Sequence, residues 1–329
     1  MKRREFISLL GSAAAWPIVD SGTATAQTET IHRLGTLTPG PPMAPTVGPG
    51  AVLINTLAQR GYTLGKNLVY EARGASGNTR QLPQLMLELI AAKVDVVVTV
   101  SYPAVVAAKT SGIPTVIASG SGDPVATGLV ESLPHPGGNV TGIADDAASL
   151  STKRLALLKA LLPKMRRVAM LWNKDDLGMS LRYDASAKAA QEIGVAVQAL
   201  GVREPDDFNE AFATMNREMP DAILMVSDAL TLLNRKRVID FAAERRLPAI
   251  YEFDGLVRDG GLMSYGADQR ESFVRAAALV DSIFKGAKPA DLPVEQPTRY
   301  LFVINLKTAK AMGLEIPSNV AALADEVIE

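Results

Sequence analysis

Asp95-Val-Val-Val-Thr-Val-Ser101 and Asp221-Ala-Ile-Leu-Met-Val-Ser227 are the two stretches on which the fold turns. In each, an aspartate opens an apolar run and a serine closes it. A helical pattern starts at each serine and stops before Ile113-Pro114 or Leu247-Pro248, where a further apolar run begins. Uninterrupted β-branched runs set between longer helical patterns indicate a parallel sheet covered by helices on both faces. The alternation continues outward. Strands are expected over 31–37, 68–70, 94–100 and 114–118, with helices over 51–60, 79–92 and 103–110. After residue 150 the order restarts. Helices are expected over 155–162, 180–193, 208–217, 230–245 and 271–285, and strands over 167–172, 195–200, 222–226 and 249–251. The reading is α/β, as two doubly wound lobes.

Composition narrows the function. The chain has 329 residues, 47% of them hydrophobic and 21% charged, which is an ordinary globular balance, and its length suggests two domains. Its 34 basic and 35 acidic side chains lack the basic excess that a nucleic-acid partner would demand. There is no cysteine, so a disulfide framework, a thiol nucleophile, a thiolate zinc site and a lipid-modified N-terminal cysteine are excluded. With His32 and His135 as the two histidines, neither a metal nor a cofactor is expected.

Residues 1–26 read as an export signal. Lys2, Arg3 and Arg4 precede an apolar stretch from Phe6 to Val19, and Ala24-Thr25-Ala26 offers a cleavage site before Gln27. Gly11, Ser12 and Pro17 interrupt the stretch, which is too short to anchor a chain in a bilayer. Arg3-Arg4-Glu5-Phe6-Ile7 resembles a twin-arginine motif. The expectation is an exported, soluble protein with no membrane anchor.

Catalytic motifs do not assemble. Gly61-Tyr-Thr-Leu-Gly65-Lys66-Asn67 is one spacer short of a phosphate loop and reads as a helix end and turn. Gly120-Ser-Gly122-Asp123 lacks the third glycine of a dinucleotide fingerprint. Ser282 and Lys285 lie on the solvated face of a helix, and His135 sits in a Pro/Gly turn. Binding is favoured over catalysis, with an exported α/β enzyme as the alternative. In doubly wound sheets, ligands sit beyond the carboxyl ends of the strands, which would put Ser101 and Ser227 at the walls of one cleft. Both serines also suit a helix N-cap, so capping and ligand contact compete as explanations.

Several segments together resemble a known family. They are Leu64-Gly-Lys-Asn-Leu-Val-Tyr-Glu71, Gly122-Asp-Pro-Val125, Gly128-Leu-Val-Glu-Ser-Leu133, Pro136-Gly-Gly-Asn-Val-Thr-Gly142, Val303-Ile-Asn-Leu-Lys-Thr-Ala-Lys310 and Gly313-Leu-Glu-Ile-Pro317, along with the run from Lys285 to Pro297. The chain is similar to ABC-transporter substrate-binding proteins of the tryptophan/tyrosine-transport type. The resemblance implies a type I periplasmic-binding-protein fold whose lobes are joined by three hinge crossovers, near 144–146, 265–267 and 292–297. The N-terminal lobe would hold 27–145 and about 267–292, and the C-terminal lobe 146–266 and about 293–329. It further implies a monomeric periplasmic receptor that captures a small ligand and hands it to the permease of an ABC importer.

Ligand contacts are then expected from both lobes. From the first come Thr38, Ser101, Tyr102, Ser119 and Gly120. The second supplies Asn173, Ser227, Asp228, Tyr251 and Glu252, with Asp145 and Tyr265 near the crossovers. Hydroxyls and backbone N–H groups at Tyr102, Ser119 and Gly120 would hold a carboxylate, Asp145, Asp228 or Glu252 an ammonium, and Tyr102, Tyr251 and Tyr265 an apolar body. The Pro/Gly-rich loop from Pro39 to Pro49 departs from the family pattern. The ligand is therefore expected only as an amino acid or a small aromatic or carboxylate compound.

Overall fold

The computed structural model describes residues 30–144 and 147–329. The export signal read at residues 1–26 and the candidate Asp145 lie outside the described residues. The first lobe runs β1 (His32–Thr38), α1 (Gly48–Gln59), β2 (Leu68–Gly74), α2 (Leu82–Ala91), β3 (Val96–Val100), α3 (Tyr102–Ser111), β4 (Thr115–Ser119) and β5 (Val140–Gly142). Its sheet is parallel, in the order β2-β1-β3-β4-β5. The valine run of β3 follows from burial on both faces. Val96 and Val98 pack with Leu53 and Leu57 of α1, while Val97 packs on the other face with Leu82, Met86, Ala104 and Ala108 of α2 and α3. With period-2 alternation and no solvated face, such a strand reads as a near-continuous apolar run, and its one polar residue, Thr99, donates its hydroxyl to the Val116 carbonyl at 3.5 Å.

The second lobe holds α4 (Ala147–Leu161), β6 (Arg167–Asn173), α5 (Leu177–Glu192), β7 (Ala196–Val202), α6 (Asp207–Arg217), β8 (Ala222–Met225), α7 (Ala229–Leu233), α8 (Arg235–Glu244), β9 (Ala249–Tyr251), α9 (Asp254–Arg258) and β10 (Met263–Ala267). The chain then supplies α10 (Gln269–Phe284), whose Phe273, Ala277 and Val280 join the first lobe's core. It returns with β11 (Tyr300–Asn305), α11 (Leu306–Met312), α12 (Ser318–Ala321) and β12 (Glu326–Ile328). Among the described residues the chain thus crosses between the lobes three times: after β5, after β10 and before β11. The second sheet is ordered β12-β11-β10-β9-β8-β6-β7. It is parallel except where β11 meets β10, with Tyr300 opposite Ala267. The chain leaves and re-enters this lobe at the same end, so the strand that returns must run against the one that left.

Setting β11 and β12 aside, the two sheets share one order, with the first strand between the second and the third. That is a doubly wound arrangement whose switch point lies between β1 and β3 in one lobe and between β6 and β8 in the other. The aspartates that open the two quoted stretches do the same work. Asp95 Oδ2 accepts the backbone N–H of Arg33 at 2.7 Å, at the start of β1. Asp221 Oδ2 accepts those of Arg166 and Arg167 at 2.7 and 2.9 Å, at the start of β6. Each pins its strand to the neighbour and sets the register.

Two expectations change. The single helix over 230–245 is two, because Asn234 turns its amide onto the Leu230 carbonyl (2.9 Å) and takes a non-helical backbone, competing with the helix ladder. The short strand β5, buried between β4 and the 289–295 segment, is an addition to the expected strands, as are β10 and β12.

Candidate ligand-binding site

The two sets of strand ends converge on a cavity of about 910 Å³. From the first lobe it is lined by Thr38, Ser101, Ser119 and Gly120, and by the loop residues Pro39, Pro41, Met43 and Pro49. From the second come Ser227, Asp228, Leu232, Leu233, Phe253 and Leu256, and α10 adds Arg270 and Phe273. The walls are largely apolar, with a few convergent polar groups, as in sites for small organic molecules.

The Pro/Gly-rich loop forms its wall by covalent rigidity and close approach. Thr38 Oγ1 donates to the Pro41 carbonyl at 2.8 Å, and Tyr70 Oη to that of Met43 at 2.7 Å. A β-carbon at Gly74 would lie 2.3 Å from the nitrogen of Pro42, so only glycine lets β2 pass beneath the loop.

The serines do not cap. Ser101 precedes α3 with φ +72° and ψ 149°, and its side chain makes no capping bond. That backbone region is essentially reserved for glycine and stores on the order of 1–3 kcal/mol of strain, of the kind that collects at ligand clamps. Its Oγ donates instead to Asp176 Oδ2 of the other lobe at 3.4 Å. Ser119 carbonyl holds the Ser101 N–H at 2.9 Å, and Gly120, at φ +75°, packs against the Ser101 backbone. In the second lobe the cap of α7 is Asp228, one residue later. It forms a reciprocal capping box with Thr231. This leaves Ser227 Oγ buried at the cavity with no hydrogen-bond partner among the described residues.

Two buried carboxylates belong to this region, Asp228 on the cavity wall and Asp176 behind it. Asp228 accepts from Asn173 Nδ2 (2.6 Å), Thr231 N (2.9 Å) and Thr231 Oγ1 (3.0 Å). Burial raises its pKa above the usual carboxylate range in spite of these bonds. Asp176 is pushed up to about 7, first by burial and then by the negative charge of Asp228, against the N–H of Met179 and the Arg182 guanidinium. Deeper in the lobe, Glu252 bridges Arg154 (2.9 Å) and Arg182 (2.7 Å), all three nearly inaccessible, and Arg154 Nε donates to the Tyr265 carbonyl at 2.7 Å.

The structure therefore brings Thr38, Ser101, Ser119, Gly120, Ser227 and Asp228 to one cavity. Asn173 stands one step behind, holding Asp228. Four expected contacts fall elsewhere. Tyr251 is fully buried in the second lobe's core, because it is flanked by β8 and β10 and closed over by Gly261. Glu252 is already neutralised by two guanidinium groups and has no charge to offer an ammonium. Tyr265 packs on that core beside Tyr300 and Phe302. Tyr102 turns its ring to the first lobe's cluster around Val105 and Ile117, and its Cβ toward Gly178. Leu232, Leu233, Phe253 and Phe273, which do line the cavity, escaped the reading because in sequence they are ordinary apolar helix and turn positions. No group of three or more His, Asp or Glu side chains among the described residues is placed to hold a metal ion.

A family model described as ABC transporter substrate binding protein matches residues 50–328. The tyrosine-binding protein of Clostridioides difficile (strain R20291) is 27% identical over 264 residues, covering 80% of this chain and 75% of its own. Two solved structures share the fold, each 24% identical over 91% of this chain and 100% of theirs. A conserved domain protein from Vibrio cholerae O1 biovar El Tor superposes with a TM-score of 0.84, and an ABC domain in complex with L-Trp from Streptococcus pneumoniae with 0.82.

Proposed function

From the membership of this chain in the ABC transporter substrate binding protein family, we propose that it captures an amino acid between its lobes, with the ligand's ammonium on Asp228 and its apolar body against the proline wall. The protein is a ligand-capturing receptor for ABC transport and not an enzyme. Among the described residues no helix is long and apolar enough to cross a membrane. On our reading the chain is exported on its twin-arginine-like signal, works in the periplasm as a monomer and delivers its ligand to an importer permease. Its lobes divide at the 27–145 with 267–292 and 146–266 with 293–329 boundaries.

One observation carries the ligand chemistry. A buried carboxylate and a buried, unpartnered hydroxyl, Asp228 and Ser227, stand side by side on a largely apolar cavity, whose charged lining residues Arg235, Asp254, Arg258, Asp259, Asp268 and Arg270 come from α8, α9 and α10 and the turns beside them. Among the described residues no lysine or arginine forms an ion pair with Asp228, whose bonds come from Asn173 and Thr231. A protonated amine supplies both the missing charge and the missing hydrogen bonds. The similarity to a tyrosine-binding protein points the same way.

The test is a thermal-shift and calorimetric screen of the chain from Gln27 against amino acids and their deaminated analogues. An amino acid should raise the melting midpoint with dose and without turnover, and its amine-free analogue should not. Asp228→Asn should weaken binding by about 10- to 100-fold, the worth of one charge-assisted bond. Equal binding of the amine-free analogue would reject the reading.

A further inference from the structure

Gly178 is the second residue of α5, a helical position where glycine is a poor choice by intrinsic propensity. Its surroundings explain it. A β-carbon there would lie 3.1 Å from the carbonyl oxygen of Ser121 and 3.1 Å from Cβ of Tyr102, both of the other lobe. Facing it is Gly122, at φ +73°, where a β-carbon would lie 3.2 Å from Cα of Gly178 and 3.4 Å from its carbonyl oxygen. The lobes therefore meet backbone to backbone, beside the Ser101–Asp176 hydrogen bond. Leu233 makes a second apolar contact between them, its Cδ1 standing 3.0 Å from where a β-carbon of Gly77 would be. Tyr102, Ser121, Gly122, Asp176 and Gly178 are all absent from the cavity wall.

We infer that the Gly122–Gly178 contact is the stop that sets how far the lobes close, and that Gly178 is a positioning residue for capture. A side chain at Gly178 would hold the lobes apart and so draw Ser101, Ser119 and Gly120 away from Ser227 and Asp228 across the cavity. Affinity falls with the fraction of molecules able to reach the closed geometry, although no ligand contact has been removed. The dinucleotide-like Gly120-Ser-Gly122 run thereby acquires a role that has nothing to do with phosphate: Gly120 packs on the Ser101 backbone and Gly122 on the opposite lobe. The inference rests on the capture reading but not on the identity of the ligand.

Because the chain has no cysteine, Tyr102→Cys with Gly178→Cys gives a lone thiol pair, one in each lobe. Their β-carbons, at 3.1 Å, are a few tenths of an ångström closer than the disulfide range of about 3.5–4.5 Å, so a slight separation suffices. Diamide, which takes up the two electrons and two protons, should join them within one chain. Mass should fall by two hydrogens, and X-ray scattering should show a radius of gyration below that of the reduced form. Thiols that stay free in the folded protein would overturn the inference.

Single substitutions, with L-tyrosine and L-tryptophan as probes, separate positioning from folding. Gly178→Ala should keep or raise the ligand-free melting temperature, since alanine favours the helix, while weakening capture. Gly178→Leu should weaken it by about tenfold or more. Wild-type affinity in Gly178→Leu would also overturn the inference. If the native chain bound neither probe, the aromatic amino acids would be excluded as ligands and the disulfide result would still decide the closure contact.

Discussion

Ser101 and Ser227 occupy the same place in two copies of one unit, and they are treated differently. In the first lobe the serine itself absorbs the turn between strand and helix, in a backbone conformation suited to glycine, and its hydroxyl is held by Asp176. In the second lobe the turn is relaxed by Asp228, which caps α7 and leaves the serine hydroxyl unpartnered. The contrast extends to the walls. The first lobe presents hydroxyls, backbone and prolines to the cleft. The second gathers the buried charges Asp176, Asp228, Arg154, Arg182 and Glu252. One lobe is a stiff wall and the other an electrostatic floor, so substitutions at equivalent places should have unlike consequences.

The largest difference should come from the floor. Glu252→Ala leaves Arg154 and Arg182 buried without their shared carboxylate, and removing one partner of a buried ion pair costs about 3–5 kcal/mol. In the first lobe the nearest comparison is Asp281, which is bonded to Tyr62 and to the partly exposed Arg60 and Lys285. Those cations rehydrate when it is lost, so Asp281→Ala should cost clearly less. Urea titrations of both variants measure the gap. Equal losses would erase the distinction between the lobes.

Next in size is the proton on Asp176. Its native pKa of about 7 lies above that of an unfolded aspartate, near 3.9, so the native state holds the extra proton. Stability is therefore fullest at the acid end of that interval and falls as pH rises from about 4 through about 7. Asp176→Asn should flatten the profile and stabilise the ligand-free protein at pH 8, by roughly 2–4 kcal/mol. A wild-type melting midpoint that is flat from pH 5 to 8 would contradict this.

The serines provide the direct comparison. Ser227→Ala removes a buried hydroxyl that has no partner and should stabilise the ligand-free protein by about 1 kcal/mol. Ser101→Ala keeps the strained backbone and deletes the bond to Asp176, so it should destabilise by a similar amount. Ser101→Gly should recover that loss, because glycine adopts φ +72° without penalty. Opposite signs at the two serines are the signature to look for.

Much of this architecture was legible beforehand, and for identifiable reasons. Apolar runs such as Val96–Val100 are dictated by burial on both sides, so the lobes, their sheets and the serines at the strand ends follow from local pattern. What escaped depends on contacts distant in sequence. Nothing near Tyr251 or Glu252 announces that the ring is enclosed by Gly261 or that two guanidinium groups converge on the carboxylate. Asp175 and Asp176 look alike in sequence. Only the approach of Ser101, 75 residues away, separates the solvated one, paired with Arg203, from the buried one at the lobe contact. The backbone of Ser101 was equally hidden, since serine carries no hint of a left-handed conformation.

The smallest effect probes the duplication itself. Each quoted unit ends its helix in a left-handed residue ahead of the Ile113-Pro114 or Leu247-Pro248 pair. In the first lobe this is Gly112 at φ +74°, and in the second Arg246 at φ +50°. The proline carbonyls then play the same part, accepting from Val97 in β3 and Ile223 in β8 at 2.9 Å. A left-handed conformation costs an ordinary L-residue about 1–2 kcal/mol and glycine almost nothing, although glycine loses more entropy on folding. Arg246→Gly should therefore stabilise the second lobe by a few tenths to about 1 kcal/mol. Gly112→Arg should destabilise the first by a comparable amount through its backbone conformation alone, since a β-carbon there would meet open space. Chemical denaturation resolves both. If Arg246→Gly is destabilising, the arginine side chain makes a contribution that its counterpart does not, and the two helix ends are equivalent in shape but not in energy.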